Sequence, residues 1–264
     1  MKLDGSVALV TGSSSGIGAA TAIALAGRGC RVAITWTNNE ESGIRVLKLC
    51  QAKGVEAMLV HLDVADNSEC KSVVSSIVKK WGSLGVLVNS AGITHHCALE
   101  DLDGLNAEDF LEIYRVNVVG AFQITRAATP HLRANSIAHV VNVASMAALN
   151  GRGSSIAYSA SKGAMVTMTK SLARALGPEV RVNAICPGLV KGRWLEKSFG
   201  VDSYESRMRL SQRKNTLKAI PTPEDVADMI VSLIQGFDLT TGDSVIIDGG
   251  AHLGVAGLAS TKRK

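Results

Sequence analysis

The regular alternation of short β-branched runs with helical stretches constrains this chain more than any other feature. The predicted strands are VALV (7–10), RVAIT (31–35), AMLVH (57–61), VLV (86–88), HVVNVAS (139–145), RVNAI (181–185) and SVIID (244–248). Between them, 16–28, 40–53, 67–81, 109–133, 158–176 and 223–236 carry helical spacing. Strands that are apolar almost without a break need cover on both faces, and strand–helix alternation makes the sheet parallel. With right-handed crossovers the expected fold is α/β: a Rossmann-type, doubly wound parallel seven-stranded sheet with helices on both faces. No repeat or low-complexity linker divides the sequence, so 1–264 reads as a single domain.

Composition matches that reading. The 264 residues are 46% hydrophobic and 19% charged, and with aromatics at 4% the core falls to Val, Ile, Leu and Ala. Cys30, Cys50, Cys70, Cys97 and Cys186 are odd in number and form no CxxC pair, so neither a zinc site nor a disulfide framework is indicated. Reduced thiols point to the cytoplasm. The amino end, MKLDGSVALVTG, has an apolar run of four residues before Thr11, too short for a signal segment or a membrane span.

The net charge of +5 has a location. Residues 191–218 hold eight basic and three acidic side chains, an excess that equals the whole chain's. Lys262, Arg263 and Lys264 close a basic tail, 255–264. A solvated face is the preferred reading of these clusters, and no nucleic-acid partner is expected. The polar, basic stretch 189–222 shows no clear strand and is ended by Pro221 and Pro223, which suits a substrate lid.

TGSSSGIG, Thr11–Gly18, follows the first strand and opens a helix. In an open parallel sheet, ligands sit beyond the carboxyl ends of the strands, where this turn lies. Helix-initial N–H groups and the positive dipole end attract a pyrophosphate there. Gly12, Gly16 and Gly18 let backbone approach a ligand and let the helix pack on the strand. The spacing is not GxGxxG and lacks the Lys-Ser/Thr of a P-loop, so the turn alone also fits a mere tight turn.

YSASK, Tyr158–Lys162, sets a phenol and an ammonium one above the other on a helix face. The small Ser159, Ala160 and Ser161 between them read as room for a neighbouring helix and for substrate. With TGxxxGxG after strand one, NSAG (Asn89–Gly92) after strand four and YxxxK after strand five, the chain resembles the short-chain dehydrogenase/reductase family. Asn117 in NVVG, Ser145 thirteen residues before Tyr158, and Pro187-Gly188 after strand six extend the match, in order, over nearly the whole chain.

The resemblance implies a dinucleotide-binding and catalytic domain. Gly12, Ser14, Gly16, Ile17 and Gly18 would line the pyrophosphate and ribose, Asp63 and Val64 the adenine, and Asn89, Ala91 and Gly92 the wall beside the riboses. Asp63 also fits a helix N-terminal residue, and Asn89 a structural amide bridging strand ends. Tyr158 would be the acid/base and Ser145 would position the substrate carbonyl. Lys162 would hold the nicotinamide ribose, with Asn117 holding a water that links it to solvent; a locally satisfied amide is the alternative for Asn117. Pro187 and Gly188 join the cofactor site, with Val190 at the carboxamide. Gly192 stands where the family often has a Thr that contacts the cofactor.

Ketone reduction delivers a hydride to carbon and a proton to oxygen. A Tyr with a reference pKa of about 10 is a plausible acid but a reluctant base. At ~4 Å and an effective dielectric near 20, a cation is worth roughly 4 kcal/mol to the phenolate, so Lys162 is expected to lower the Tyr158 pKa. No metal is expected. His95 and His96 are adjacent, facing opposite ways in a strand or about 100° apart in a helix. They read as loop residues at the pocket mouth, where substrate contact is one role for them.

An NAD enzyme of this kind carries an acid at the end of strand two. Thr35, Trp36, Thr37 and Asn38 stand there instead, which favours NADP(H) over NAD(H), with Thr37 and Asn38 donating to the 2′-phosphate. Against this, Ser13, Ser14 and Ser15 occupy the turn where NADP-type members often carry an Arg, and Glu40 and Glu41 lie close in sequence.

The expected activity is an NADP(H)-dependent carbonyl reductase or alcohol dehydrogenase acting on a small molecule. The basic lid would suit an acidic carrier protein or a CoA phosphate, which keeps a 3-oxoacyl-thioester reductase open. A catalytically silent dinucleotide-binding sensor is the alternative of another class. By the resemblance, helices 109–133 and 158–176 and the apolar edge SVIIDGG imply a homotetramer or homodimer. No membrane partner is expected.

Overall fold

Val7 and Leu9 pack into one apolar cluster, whereas Ala8 and Val10 pack into another. A fully apolar strand does this when helices cover both of its faces. The computed structural model describes residues 1–192 and 201–254. The strands β1 (Val7–Val10), β2 (Arg31–Trp36), β3 (Ala57–His61), β4 (Val86–Asn89), β5 (Ala138–Val143), β6 (Val180–Pro187) and β7 (Ser244–Ile247) form one sheet. Every neighbouring pair is parallel, in the order β3-β2-β1-β4-β5-β6-β7. The winding reverses between β1 and β4, which opens a crevice beyond their carboxyl ends.

Two helical layers close the core. Helices α1 (Gly16–Ala26), α2 (Glu40–Gln51) and α9 (Pro223–Gln235) cover one face; α3 (Asn67–Trp81), α5 (Ala121–Arg133) and α7 (Ile156–Leu176) cover the other. Local chemistry starts them. Asp66 accepts the N–H groups of Ser68 and Glu69 at the head of α3, and Thr222 and Asp225 form a capping box before the Pro that opens α9.

Three elements depart from the sequence expectation. The helix expected at 109–133 is broken: α4 (Ala107–Tyr114) runs into a π-helical turn, Arg115–Gly120, before α5 begins. A π turn adds one residue while the apolar stripe continues, so periodicity does not reveal it. The stretch 189–222, expected as a lid, contains a helix, α8 (Val201–Lys214). Its sequence is polar nearly all round, and Met208 is the one buried residue among those described, so it lacks the stripe that marks a packed helix. A one-turn helix, α6 (Ala147–Asn150), follows β5.

The two ends of the stretch 189–222 are tied together, since the Lys191 N–H donates to the Pro221 carbonyl at 2.9 Å. Arg193, Trp194 and Lys197 of the basic stretch and the 255–264 tail lie outside the described residues. Among the described residues no helix is long and apolar enough to cross a membrane.

Candidate active site

The glycine turn is held from two sides. Thr11 Oγ1 accepts the N–H groups of Ser90 and Ala91 at 3.0 and 3.1 Å, tying the turn to the loop after β4. The Gly12 N–H donates to Thr35 Oγ1 at 3.0 Å, and the Thr35 N–H donates to Ser13 Oγ at 2.8 Å, tying it to β2. A Cβ on Gly12 would stand 2.8 Å from Ala91 Cα, and one on Gly18 would stand 2.5 Å from the Gly12 carbonyl. Gly16 needs positive φ (+55) yet has nothing within 4 Å of its Cβ position, so that side of the turn is open. Ser15, the N-cap of α1, makes no side-chain cap bond. Exposed helix-initial N–H groups beside open space form a cradle for an anion.

The catalytic candidates meet at the carboxyl end of β5. Tyr158 and Lys162 lie on the first turns of α7, which Ser155 caps by accepting the Tyr158 N–H at 3.1 Å. Tyr158 is buried and its phenol hydrogen-bonds Ser145 just past β5. Lys162 is also buried; its Nζ donates to the Val143 carbonyl at 2.8 Å and sits 5.7 Å from the Tyr158 ring centroid. Gly92, exposed, borders both Lys162 and Asn117: a Cβ there would stand 3.6 Å from Lys162 Nζ and 3.2 Å from Asn117 Oδ1. The group therefore opens toward the loop that is tied to the glycine turn.

A comparison of the whole chain with known proteins decides its kinship. A family model described as "Enoyl-(Acyl carrier protein) reductase" matches residues 12–252. The chain belongs to the short-chain dehydrogenase/reductase family. It is 39% identical over 247 residues to a protein of Streptomyces violaceoruber named as a ketoacyl reductase of the granaticin polyketide synthase, covering 94% of this chain and 96% of that one. It is 33% identical to the 3-oxoacyl-[acyl-carrier-protein] reductase FabG of Thermotoga maritima, over 95% of this chain and 99% of the relative. Among solved structures, NAD⁺-bound xylitol dehydrogenase superposes with a TM-score of 0.86 at 29% identity, covering 95% of this chain and all (100%) of that one. Family members of this kind bind a nicotinamide dinucleotide, and the open glycine turn fits one.

Electrostatics reverse one expectation. Burial pushes the Tyr158 phenol up to about 12, with the Ser145 hydrogen bond pulling the other way. In the cofactor-free protein, desolvation thus outweighs the attraction expected from Lys162. Burial also lowers Lys162 from 10.5 to about 8, with the nearby Cys186 opposing.

Other expected residues take more structural parts. Asn117, in the π turn, accepts from the Ile93 N–H at 2.8 Å and donates to the Ile93 carbonyl and Ser161 Oγ, both at 3.0 Å. Both its amide hydrogens are spent in protein, so its side chain has no donor left for a water. Asn89 donates to Thr125 Oγ1 and Asn142 Oδ1, bridging strands and helix as a structural amide would. Thr37 donates its hydroxyl to the Leu62 carbonyl at 2.8 Å, which withdraws the donor expected for a 2′-phosphate. Asn38 is exposed. Asp63 is not the cap of α3, a part taken by Asp66; its Oδ1 accepts the Ala65 N–H at 2.9 Å. Val64 is buried against Gly120, and its carbonyl accepts from Gln123.

Pro187 ends β6, and Gly188 must be Gly because a Cβ would reach within 2.5 Å of Asp248 Cβ. Val190 and the glycine turn's Ile17 each pack partly on the same core cluster, while Ser14 is half-buried. The small residues of YSASK are not empty room. Ser161 joins Asn117 to the Tyr158 carbonyl, Ser159 bonds the Ser155 and Gly151 carbonyls, and Ala160 is exposed. Thr11, Thr35 and Ser161 lie in stretches that the sequence singles out, but their framing bonds were not foreseen; Ser155 was passed over, although it is an N-cap type just before α7.

Proposed function

We propose that this protein is an NADP(H)-dependent oxidoreductase that transfers a hydride between nicotinamide and a carbonyl or secondary alcohol, with Tyr158 as the acid and base. The observation that carries the proposal is the convergence of Ser145, Tyr158 and Lys162 beside exposed Gly92. When bound, the dinucleotide supplies or accepts the hydride. Gly12, Ser14, Gly16, Ile17 and Gly18 would hold its pyrophosphate, Asp63 and Val64 its adenine, and Ala91 and Gly92, with backbone at Asn89, its ribose side. Lys162 would hold the nicotinamide ribose, and Pro187, Gly188 and Val190 would border the carboxamide.

Ser145 and Tyr158 would both hydrogen-bond the substrate oxygen. A phenol held up at about 12 stays protonated at neutral pH, which favours reduction: the Tyr158 O–H transfers its proton to the carbonyl oxygen as that oxygen gains charge. The phenolate so formed lies beside the Lys162 ammonium, where their attraction is realised. Asn117 would contribute by fixing the Ile93–Ser161 frame around this group.

For the cofactor, Thr35, Trp36, Thr37 and Asn38 leave the end of β2 without a carboxylate to repel a 2′-phosphate. The uncommitted Ser15 side chain and the exposed Asn38 are the donors now favoured for it. For the substrate, a 3-oxoacyl thioester is the reading that the names of the matched reductases support, and the exposed Arg209, Arg213 and Lys218 of the lid would suit an anionic carrier. The intact Ser145–Tyr158–Lys162 group speaks against a silent sensor. We also propose a cytoplasmic homotetramer or homodimer. Leu111, Val119 and Phe122 are 68%, 46% and 41% exposed along α4–α5, an apolar stripe suited to self-association.

The test is nicotinamide absorbance with NADPH or NADH against a panel of simple ketones and 3-oxoacyl thioesters. Thioester reduction with NADPH preferred is expected. An NADH preference would overturn the cofactor assignment, and nucleotide binding without turnover of any substrate would favour the sensor.

A further inference from the structure

We infer that His95 is a positioning residue, a doubly donating imidazolium that clasps the loop 93–105 to α4 and so fixes the substrate-side wall of the site. The inference rests on the proposed function and on the expected place of His95 in a loop at the pocket mouth, and on geometry for the clasp itself. His95 Nδ1 lies 2.6 Å from Asp109 Oδ1, and Nε2 lies 3.0 Å from Glu112 Oε2. An ionised carboxylate only accepts, so each contact needs a hydrogen on its ring nitrogen, and only the imidazolium carries both. A neutral ring would turn one contact into lone pair against carboxylate.

The two anchors differ in stiffness. Asp109 is fixed by its other oxygen, which accepts the Asn106 N–H at 2.9 Å in the capping box of α4. Glu112 is half exposed, at 51%, and would release first. The charged groups around the ring are Asp109 and Glu112 on α4, with Glu100 and Asp101 further along the loop beside Cys97. The 151–155 segment that packs on the loop carries one charged residue, the exposed Arg152.

What the clasp holds is the path along the catalytic group. Ile93 is bonded twice to Asn117, Thr94 Oγ1 meets Ser154 Oγ at 2.5 Å, and the Cys97 N–H donates to the Ser154 carbonyl at 2.9 Å. Ser154 precedes Ser155, the cap on the helix that carries Tyr158 and Lys162. These bonds fix the loop on its catalytic side, and His95 fixes it to α4. The neighbouring His96 is largely exposed, and the partial burial it has lowers its pKa.

The experiment compares wild type with His95→Gln, Glu112→Gln and Glu112→Ala. Hydrogen–deuterium exchange of the loop peptide, ring ¹⁵N shifts and steady-state kinetics are read in the holoenzyme. His95→Gln and Glu112→Ala are expected to speed exchange within 93–105 and to raise KM for the carbonyl substrate about three- to fivefold, with kcat and NADPH affinity within about twofold. Glu112→Gln, which keeps an acceptor, is expected to retain most of wild-type behaviour. Both ring nitrogens of His95 should carry a hydrogen in the ¹⁵N spectrum, because each faces a carboxylate oxygen. A singly protonated ring, unchanged loop exchange in both His95→Gln and Glu112→Ala, or a fall in kcat at constant KM would overturn the inference. Should no substrate be turned over, the exchange and ¹⁵N readings still decide the clasp separately from the proposed activity.

Discussion

Replacing Lys162 by Met is expected to stabilise the cofactor-free protein while abolishing its activity. Lys162 is only 5% exposed, and its ammonium donates to the Val143 carbonyl at 2.8 Å. Burial lowers its pKa from 10.5 to about 8. At about 1.36 kcal/mol per pH unit, keeping the charge at neutral pH costs roughly 3 kcal/mol. Loss of the hydrogen bond to Val143 offsets about 1 kcal/mol of this, leaving a net gain of about 2 kcal/mol for the variant.

The pH dependence has a definite sign. The folded pKa lies below the unfolded one, so between about 8 and 10.5 the unfolded chain holds a proton that the folded chain has released. Stability contributed by this group therefore rises with pH through that window, and the full cost stands below it. Urea unfolding of both proteins from neutral pH to about pH 10 isolates the effect, because Tyr158 and the buried thiols titrate in both. The variant's advantage should shrink to near zero at the upper end. A variant less stable at pH 7, or a difference that does not change with pH, would refute the reasoning.

Gly12→Ala would force a Cβ to within 2.8 Å of Ala91 Cα at a φ of +63°, so a cost of about 2 kcal/mol or more is expected, with weakened dinucleotide binding. Thermal unfolding and nicotinamide fluorescence titration check it; wild-type values for both would count against the close approach. Thr37→Asp should cut the preference for NADPH over NADH by about tenfold, through a carboxylate set against the 2′-phosphate. Thr37→Val should leave that preference nearly unchanged, since the hydroxyl is already committed to Leu62. Comparing affinities for the two nucleotides distinguishes these outcomes.

The sheet was legible because its inner strands β1, β4, β5 and β6 are buried on both faces, so their residues are mostly apolar. The alternation of VALV between two clusters is that constraint seen from inside. The meeting of Tyr158, Lys162 and Ser145 was legible only from the ordered set, since a Tyr and a Lys four apart fit any helix surface. Their pKa directions were not legible: pair spacing says how near a cation lies, whereas desolvation depends on everything packed around it. Asn117 lies on a π turn that periodicity cannot register, and its amide is consumed by Ile93 and Ser161, contacts between segments distant in sequence. Thr37 was assigned from position alone, and the orientation of its hydroxyl toward Leu62 depends on β3. The helix Val201–Lys214 went unseen because a helix polar on almost every side has no stripe to read.

The most direct test of the account is turnover by Tyr158→Phe beside wild type, followed as NADPH oxidation with a 3-oxoacyl thioester or ketone that the wild type reduces. Phe keeps the ring packed against Lys162 and removes only the hydroxyl that bonds Ser145. The account predicts unchanged NADPH binding and a loss in kcat of about 10²-fold or more. Turnover by Tyr158→Phe at the wild-type rate would contradict it.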